Sequence, residues 1–192
     1  YEDGEWWLYK LQSSEATRSE VEISRVLRDC GWDAAEYRYV GSYRKRIRSR
    51  NFLSEDEFFE PYDSFRYAFS DISEDDDIVM ANLSSLGEMY HSAWKRILLA
   101  DALFLNGDRH MRNFGVIRSA RTGEVLRLAP NFDNNQAFHG NPSGRYSAAM
   151  LRLYWKTADN EDRENLHQLL AACEKNRYLA EAWQAGTEIL NT

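Results

Sequence analysis

Asp108, Asn113 and Asp133 are the residues whose types and order most invite a chemical reading. The first two stand five apart in Leu105-Asn106-Gly107-Asp108-Arg109-His110-Met111-Arg112-Asn113-Phe114-Gly115, and the third follows in Ala129-Pro130-Asn131-Phe132-Asp133-Asn134-Asn135. A loop of that length can hold one carboxylate toward a hydroxyl group and turn an amide oxygen back to a cation. Asp133 adds a second oxygen ligand. Mg²⁺ is hard and prefers oxygen, and proteins usually hold it by one or two carboxylates together with phosphate oxygens. Transfer of a phosphoryl group asks the protein for positioning, charge neutralisation and an acceptor for the hydroxyl proton. An Asp, an Asn and a second Asp in this order meet those needs. A hydrogen-bonded turn that merely satisfies its own backbone groups is the alternative for the first pair.

The flanking pattern has to position this trio. A long helix is expected over about Leu86–Leu105, with Met89, Tyr90, Ala93, Trp94, Ile97, Leu98, Ala100, Asp101 and Phe104 buried. Asp101 is the odd residue on that face and reads as an acceptor for hydrogen bonds from the loop. Two short strands, 114–117 and 125–128, flank Arg121-Thr122-Gly123, which has the look of a hairpin connection. The hairpin would bring Asp108, Asn113 and Asp133 close together.

Upstream, the order is strand, helix, strand, strand. Glu5 to Leu11 is rich in strand formers. A helix is expected to enter at Ser14–Arg18 and run through Cys30, with Gly31 as its stop. Glu36–Val40 and Ile47–Leu53 read as strands joined by the basic Tyr43-Arg44-Lys45-Arg46. That basic stretch, continuing through Arg48 and Arg50, reads as a solvated turn or as a contact for an acidic partner. Trp6-Trp7 reads as core. Glu55–Tyr67 reads as short helices and loops, and the region from about Ser147 to Leu190 as helical, with Met150, Leu151, Leu153, Tyr154, Leu166, Leu169, Leu170, Leu179, Trp183 and Ile189 on its apolar positions.

Composition narrows the classes. The chain has 192 residues, 43% hydrophobic and 14% aromatic, which is globular rather than disordered. A formal charge of −7 argues against direct nucleic acid binding, which needs a basic face. Cys30 and Cys173 form no CxxC pair, and the four histidines lack regular metal-ligand spacing, so a reducing compartment fits better than a disulfide or zinc framework. No apolar run approaches the roughly 18–20 residues needed to span a bilayer, and no signal peptide is visible. A cytoplasmic location without membrane contact is expected. The chain starts at Tyr1 rather than Met, which suggests that an N-terminal part is missing.

The motifs also resemble a known family. Protein kinases carry H-R-D-x-x-x-x-N and then D-F-G. Here the D-x-x-x-x-N spacing runs from Asp108 to Asn113, while the histidine follows the aspartate as His110. That order is similar to the D-x-H-x-x-N-F loop of HipA-type kinases, and also to the D-R-H-x-x-N loop of phosphoinositide-3-kinase-like enzymes. Ala129-Pro130-Asn131-Phe132-Asp133 resembles the HipA-type P-x-F/Y-D element, with Asn134 and Asn135 where protein kinases have glycine. The likeness covers most of residues 5–140. It implies an α+β fold of the protein-kinase-like, two-lobed kind, a single domain over 1–192 with a reduced N-terminal lobe at 1–54 and a mainly helical lobe at 55–192. It further implies ATP and Mg²⁺ as cofactors. Asp108 would be the catalytic base, Asn113 and Asp133 the Mg²⁺ ligands, and Lys10 the phosphate contact, positioned by Glu20, which lies eleven residues before Gly31. His110 would contact the site or support its loop, and Arg109 would contact phosphate or stand solvated. A glycine-rich phosphate loop is absent and would precede Tyr1.

The resemblance also implies a protein serine or threonine acceptor and, by analogy, a DNA-binding antitoxin partner. Two rivals share the motif: a kinase-fold enzyme acting on a small molecule or lipid, and a pseudokinase that binds without catalysis.

Overall fold

The computed structural model describes residues 1, 4–42, 45–67, 69, 71, 75–138, 156 and 158–190. These form a mixed α/β structure with two separate three-stranded antiparallel sheets. The chain divides into two compact units, one of Tyr1–Asn51, Leu98–Asp108 and Phe132–Thr192, the other of Phe52–Ile97 and Arg109–Asn131.

In the first unit, strand β1 (Trp7–Leu11) and strand β2 (Tyr37–Tyr39) flank strand β3 (Arg46–Arg50). Period-two alternation places Lys10 and Ile47 as partners on one face and Trp7, Tyr9 and Arg48 on the other. Helix α1 (Ser14–Asp29) starts where Ser13 Oγ accepts the Ala16 N–H at 3.1 Å. It stops at Gly31, whose φ of +75° is open to glycine without a Cβ penalty. The Gly31 and Trp32 N–H groups then close onto the carbonyls of Arg28 and Leu27.

One apolar core unites α1, the end of helix α3 (Glu88–Phe104), helix α4 (Asn160–Glu174) and helix α5 (Ala180–Leu190). Ile23, Leu27, Leu103, Leu166, Leu169 and Leu179 are its centre. Cys173 lies wholly inside it, and burial pushes its thiol up to about 12, whereas Cys30 is only half-buried. A thiol reagent at pH 8 is therefore expected to label Cys30 in the folded protein and Cys173 only after denaturation. Two equally fast thiols in the native state would contradict this packing.

In the second unit, strand β4 (Glu57–Pro61), strand β5 (Gly115–Ser119) and strand β6 (Val125–Leu128) form an antiparallel sheet in the order β4-β5-β6. Helix α2 (Asp76–Leu86) and the first part of α3 belong to it. Its core is aromatic. The Phe114 ring lies 4.8 Å from Tyr62, stacked, and 4.3 Å from Trp94. Gly115 is required where it stands, because a Cβ there would come within 2.2 Å of the Glu60 carbonyl oxygen across the ladder.

Several expectations are corrected. Glu57–Pro61 is a strand rather than a loop, because Phe58 and Phe59 offer the alternate faces that pairing with β5 uses. The helix expected over about Leu86–Leu105 is α3, Glu88–Phe104, and a separate helix, α2, precedes it across Gly87. Met89 is 59% exposed and lies outside the core. Trp6 is also exposed, and Trp7 is half-buried with Arg48 4.3 Å over its ring, so this pair is no core element. The strand expected to reach Leu53 ends at Arg50. Residues 43–44, 139–155 and 157 lie outside the described set, and with them Tyr43, Arg44, Met150, Leu151, Leu153 and Tyr154. The side chain of Ile189 is also outside it. Among the described residues no helix is long and apolar enough to cross a membrane.

Candidate active site

In the first unit, three residues far apart in sequence converge. Lys10 Nζ donates to Glu20 Oε1 at 2.9 Å and to Asp133 Oδ1 at 3.1 Å. Each element has a local reason for delivering its group. Lys10 lies on the sheet face that carries its cross-strand partner on β3, Ile47, which is fully buried. Glu20 sits on the buried face of α1 between Thr17 and Ser24. Asp133 has a φ of +62°, a left-handed conformation uncommon for any residue but glycine and easiest for Asn and Asp. That turn is fixed from two sides. The Asp133 N–H donates to the Tyr37 hydroxyl at 3.3 Å, and Asn135 Nδ2 donates to Asp133 Oδ1 at 3.0 Å.

The electrostatics follow from one cation serving two carboxylates. Glu20 is fully buried, and burial pushes its carboxyl up to about 7 against the opposing pull of Lys10. Burial works against the Lys10 charge, but Tyr37, Glu20 and Asp133 together hold its ammonium above the usual lysine range. Lys10 also lies 5.4 Å from the centre of the Tyr37 ring, and burial pushes that phenol up to about 12. Tyr37 therefore stays a neutral hydroxyl that can accept the Asp133 N–H.

A second cluster in this unit braces the segment on either side of the site. Asp101, fully buried, accepts from Asn106 Nδ2 at 2.9 Å, and the Asn106 N–H closes onto the Asp101 carbonyl. Asn106 Nδ2 also reaches Asn134 Oδ1 at 3.3 Å. The residues just before Asp108 and just after Asp133 are thus tied side chain to side chain. Asp108 is exposed at the end of the first unit.

In the second unit, Arg109 is buried, which overturns its reading as a solvated charge. Its Nη1 donates to the Asn113 carbonyl at 3.0 Å and its Nη2 to Asn131 Oδ1 at 3.3 Å. It is a clamp on the loop. His110 Nδ1 accepts the Arg112 N–H at 3.2 Å, and the Asn113 N–H donates to the His110 carbonyl at 2.8 Å. These bonds make 109–113 a compact turn with Asn113 buried.

The structure thus brings Lys10, Glu20 and Asp133 into contact. It places Asp108 with them in the first unit, and His110 with Asn113 in the second. Tyr37, Asn106, Asn131, Asn134 and Asn135 are the supporting residues that the sequence reading passed over. The density of asparagines around 106 and 131–135 was the available signal.

The donor chemistry suits a hard cation. Among the described residues no three His, Cys, Asp or Glu side chains cluster in a way that could enclose a metal. Asp133 in the first unit carries a carboxylate and Asn113 in the second an amide oxygen, each a hard oxygen donor of the kind Mg²⁺ prefers.

No protein-family model matches the sequence, and no curated protein does. Among solved structures the chain is similar to that of a Helicobacter pylori proinflammatory kinase, CtkA, with a TM-score of 0.67 and 12% identity over 98% of this chain and 88% of that one. At that identity the likeness is one of fold, and the mixed α/β fold of this chain is kinase-like.

Proposed function

We propose that the chain is an ATP- and Mg²⁺-dependent phosphotransferase, a HipA-like protein serine/threonine kinase. The observation that carries the proposal is the three-way contact of Lys10 with Glu20 and Asp133. Ionisable groups brought together from distant parts of the sequence, with a carboxyl whose ordinary titration is strongly perturbed, cluster at functional sites. A lysine so placed offers donors to phosphate oxygens, with Glu20 fixing its position and Asp133 alongside it.

In this reading Asp108, which is exposed, accepts the proton of the attacking hydroxyl. Asn113 and Asp133 supply the oxygens that hold Mg²⁺, which when bound neutralises charge on the phosphates. Arg109 positions the Asn113 backbone, and His110 stiffens the same loop through Arg112. The acceptor, a serine or threonine of a protein, follows from the HipA resemblance, as does a DNA-binding antitoxin partner; a cytoplasmic setting is the reading of the two free thiols, Cys30 and Cys173.

The test is transfer of labelled γ-phosphate from ATP to the protein itself or to a generic protein substrate. Asp108→Asn is expected to lower the rate at least 100-fold with an unchanged circular dichroism spectrum. Full activity in that variant would remove Asp108 from the mechanism and with it this proposal.

A further inference from the structure

Away from Lys10 and Asp133, the first unit has an open groove of about 760 Å³. This is within the range of small-molecule sites. One wall is α1, which presents Arg18, Glu22 and Arg25, the other is the turn from Asn176 to Ala180, and Phe138 also lines it. Nothing in the phosphotransferase reading uses these residues.

The charges in the groove are unevenly spent. Arg25 Nη2 donates to Glu22 Oε2 at 2.5 Å. Glu22 also accepts from Asn176 Nδ2 at 2.9 Å and from the Tyr39 hydroxyl at 3.3 Å, so its carboxylate is fully engaged in holding the wall. Arg18 and Arg177 are both exposed, and neither has a carboxylate partner among the described residues. Arg18 instead lies 5.1 Å over the Tyr178 ring, which attracts the guanidinium without using its N–H donors. Three arginines against one carboxylate leave the groove positive in a chain whose formal charge is −7.

The aromatic side of the groove is rigid. Phe138 stands edge-on to Tyr178 at 5.9 Å and to Phe104 at 6.1 Å, and it keeps a φ of +64°, a costly backbone conformation for a bulky residue. The Tyr178 N–H donates to Asn176 Oδ1 at 3.0 Å, and its hydroxyl shares a hydrogen bond of 2.9 Å with Ser19 Oγ. A preformed wall of this kind loses little entropy when a ligand docks.

We infer that this groove is a binding site for a phosphomonoester carried on a flat apolar group. A dianion with three terminal oxygens has acceptors and charge enough to engage the forks of Arg18 and Arg177 together, more than the two oxygens and single charge of a carboxylate. The carrier lies against Phe138 and Tyr178.

The test is titration of the whole chain with phenyl phosphate and with inorganic phosphate at low ionic strength, followed by calorimetry. The proteins are the wild type, Asp133→Asn and the double variant Arg18→Gln/Arg177→Gln. Phenyl phosphate is expected to bind the wild type and Asp133→Asn alike, at least tenfold more weakly to the double variant, and more tightly than inorganic phosphate. Arg177→Glu alone, at an exposed position that does not bear on folding, is expected to weaken it in the same direction. Equal binding to all the proteins, loss only in Asp133→Asn, or no saturable binding to the wild type at millimolar concentration would each overturn the assignment. Loss only in Asp133→Asn would place the probe at the proposed nucleotide site. Failure of the phosphotransferase reading leaves this test unaffected, because it measures no transfer.

Discussion

Lys10→Met is expected to lower ATP-dependent phosphate transfer by about a hundredfold or more, and to destabilise the fold at the same time. The two effects have one origin. Lys10 is the cation that Glu20 and Asp133 share. Removing one donor from developing phosphate charge costs about 10²–10³ in rate in comparable sites. Methionine matches the apolar stem of lysine but leaves Glu20, fully buried, beside Asp133 with no cation between them. Breaking a buried ion pair from one side costs about 3–5 kcal/mol. The value here belongs at the lower end, because Lys10 and Asp133 are each about a quarter exposed and Glu20 can take up a proton. Urea denaturation of the two proteins at pH 7.5 measures the stability term and steady-state transfer measures the other. A variant that is as stable as the wild type would show that the contact is incidental.

Arg109→Leu is expected to cost about 2–4 kcal/mol of stability and, in the proteins that remain folded, about a hundredfold in transfer. Arg109 is buried and gives its donors to the Asn113 carbonyl and the Asn131 side chain. Leucine fills much of the volume but leaves those acceptors without their charged donor, and an abandoned buried acceptor costs about 1–3 kcal/mol. The activity term follows from geometry, since a displacement of about 1 Å at a group that positions reactants can cost about 10²-fold. Thermal unfolding and transfer at 20 °C separate the two. Arg109→Lys should recover little, because an ammonium cannot reach two acceptors with the planar fork of a guanidinium. Near-complete rescue by lysine would mean that charge alone, and not the clamp, matters.

What the sequence made legible was local. Helix α1 was readable because Ser13 and Gly31 mark its ends with capping chemistry that acts over four or five residues. The hairpin at Arg121-Thr122-Gly123 was readable for the same reason, and β6 came out at Val125–Leu128 as read. Strand β4 was hidden because its identity depends on β5, more than fifty residues later, and because Glu57 and Glu60 look like loop residues until Arg127 and Arg118 are seen to pair with them. Arg109 was misread because a charged residue in a polar loop is exposed by default, and only a folded loop shows that two acceptors point inward at it. Met89 was placed inside by helical spacing, but it stands in the first turn of α3, where its side chain is exposed.

The candidate site was legible as a set of residue types but not as a geometry. The order Lys10, Glu20, Asp133 was readable through family resemblance. That one ammonium touches both carboxylates was not readable, because it depends on the left-handed turn at Asp133 and on the Tyr37 hydroxyl that accepts its N–H. The asparagines at 106, 134 and 135 signal only by their density, and their roles emerge when Asp101 accepts from Asn106, Asp133 from Asn135, and Asn134 from Asn106.

The most direct test of the central claim is calorimetric titration of the protein with ATP, with and without Mg²⁺, in the wild type and in Asp133→Ala. The account predicts binding that requires Mg²⁺ in the wild type and falls at least tenfold in the variant. Binding that ignores both the metal and the substitution, or no binding to the wild type at millimolar ATP, would contradict it.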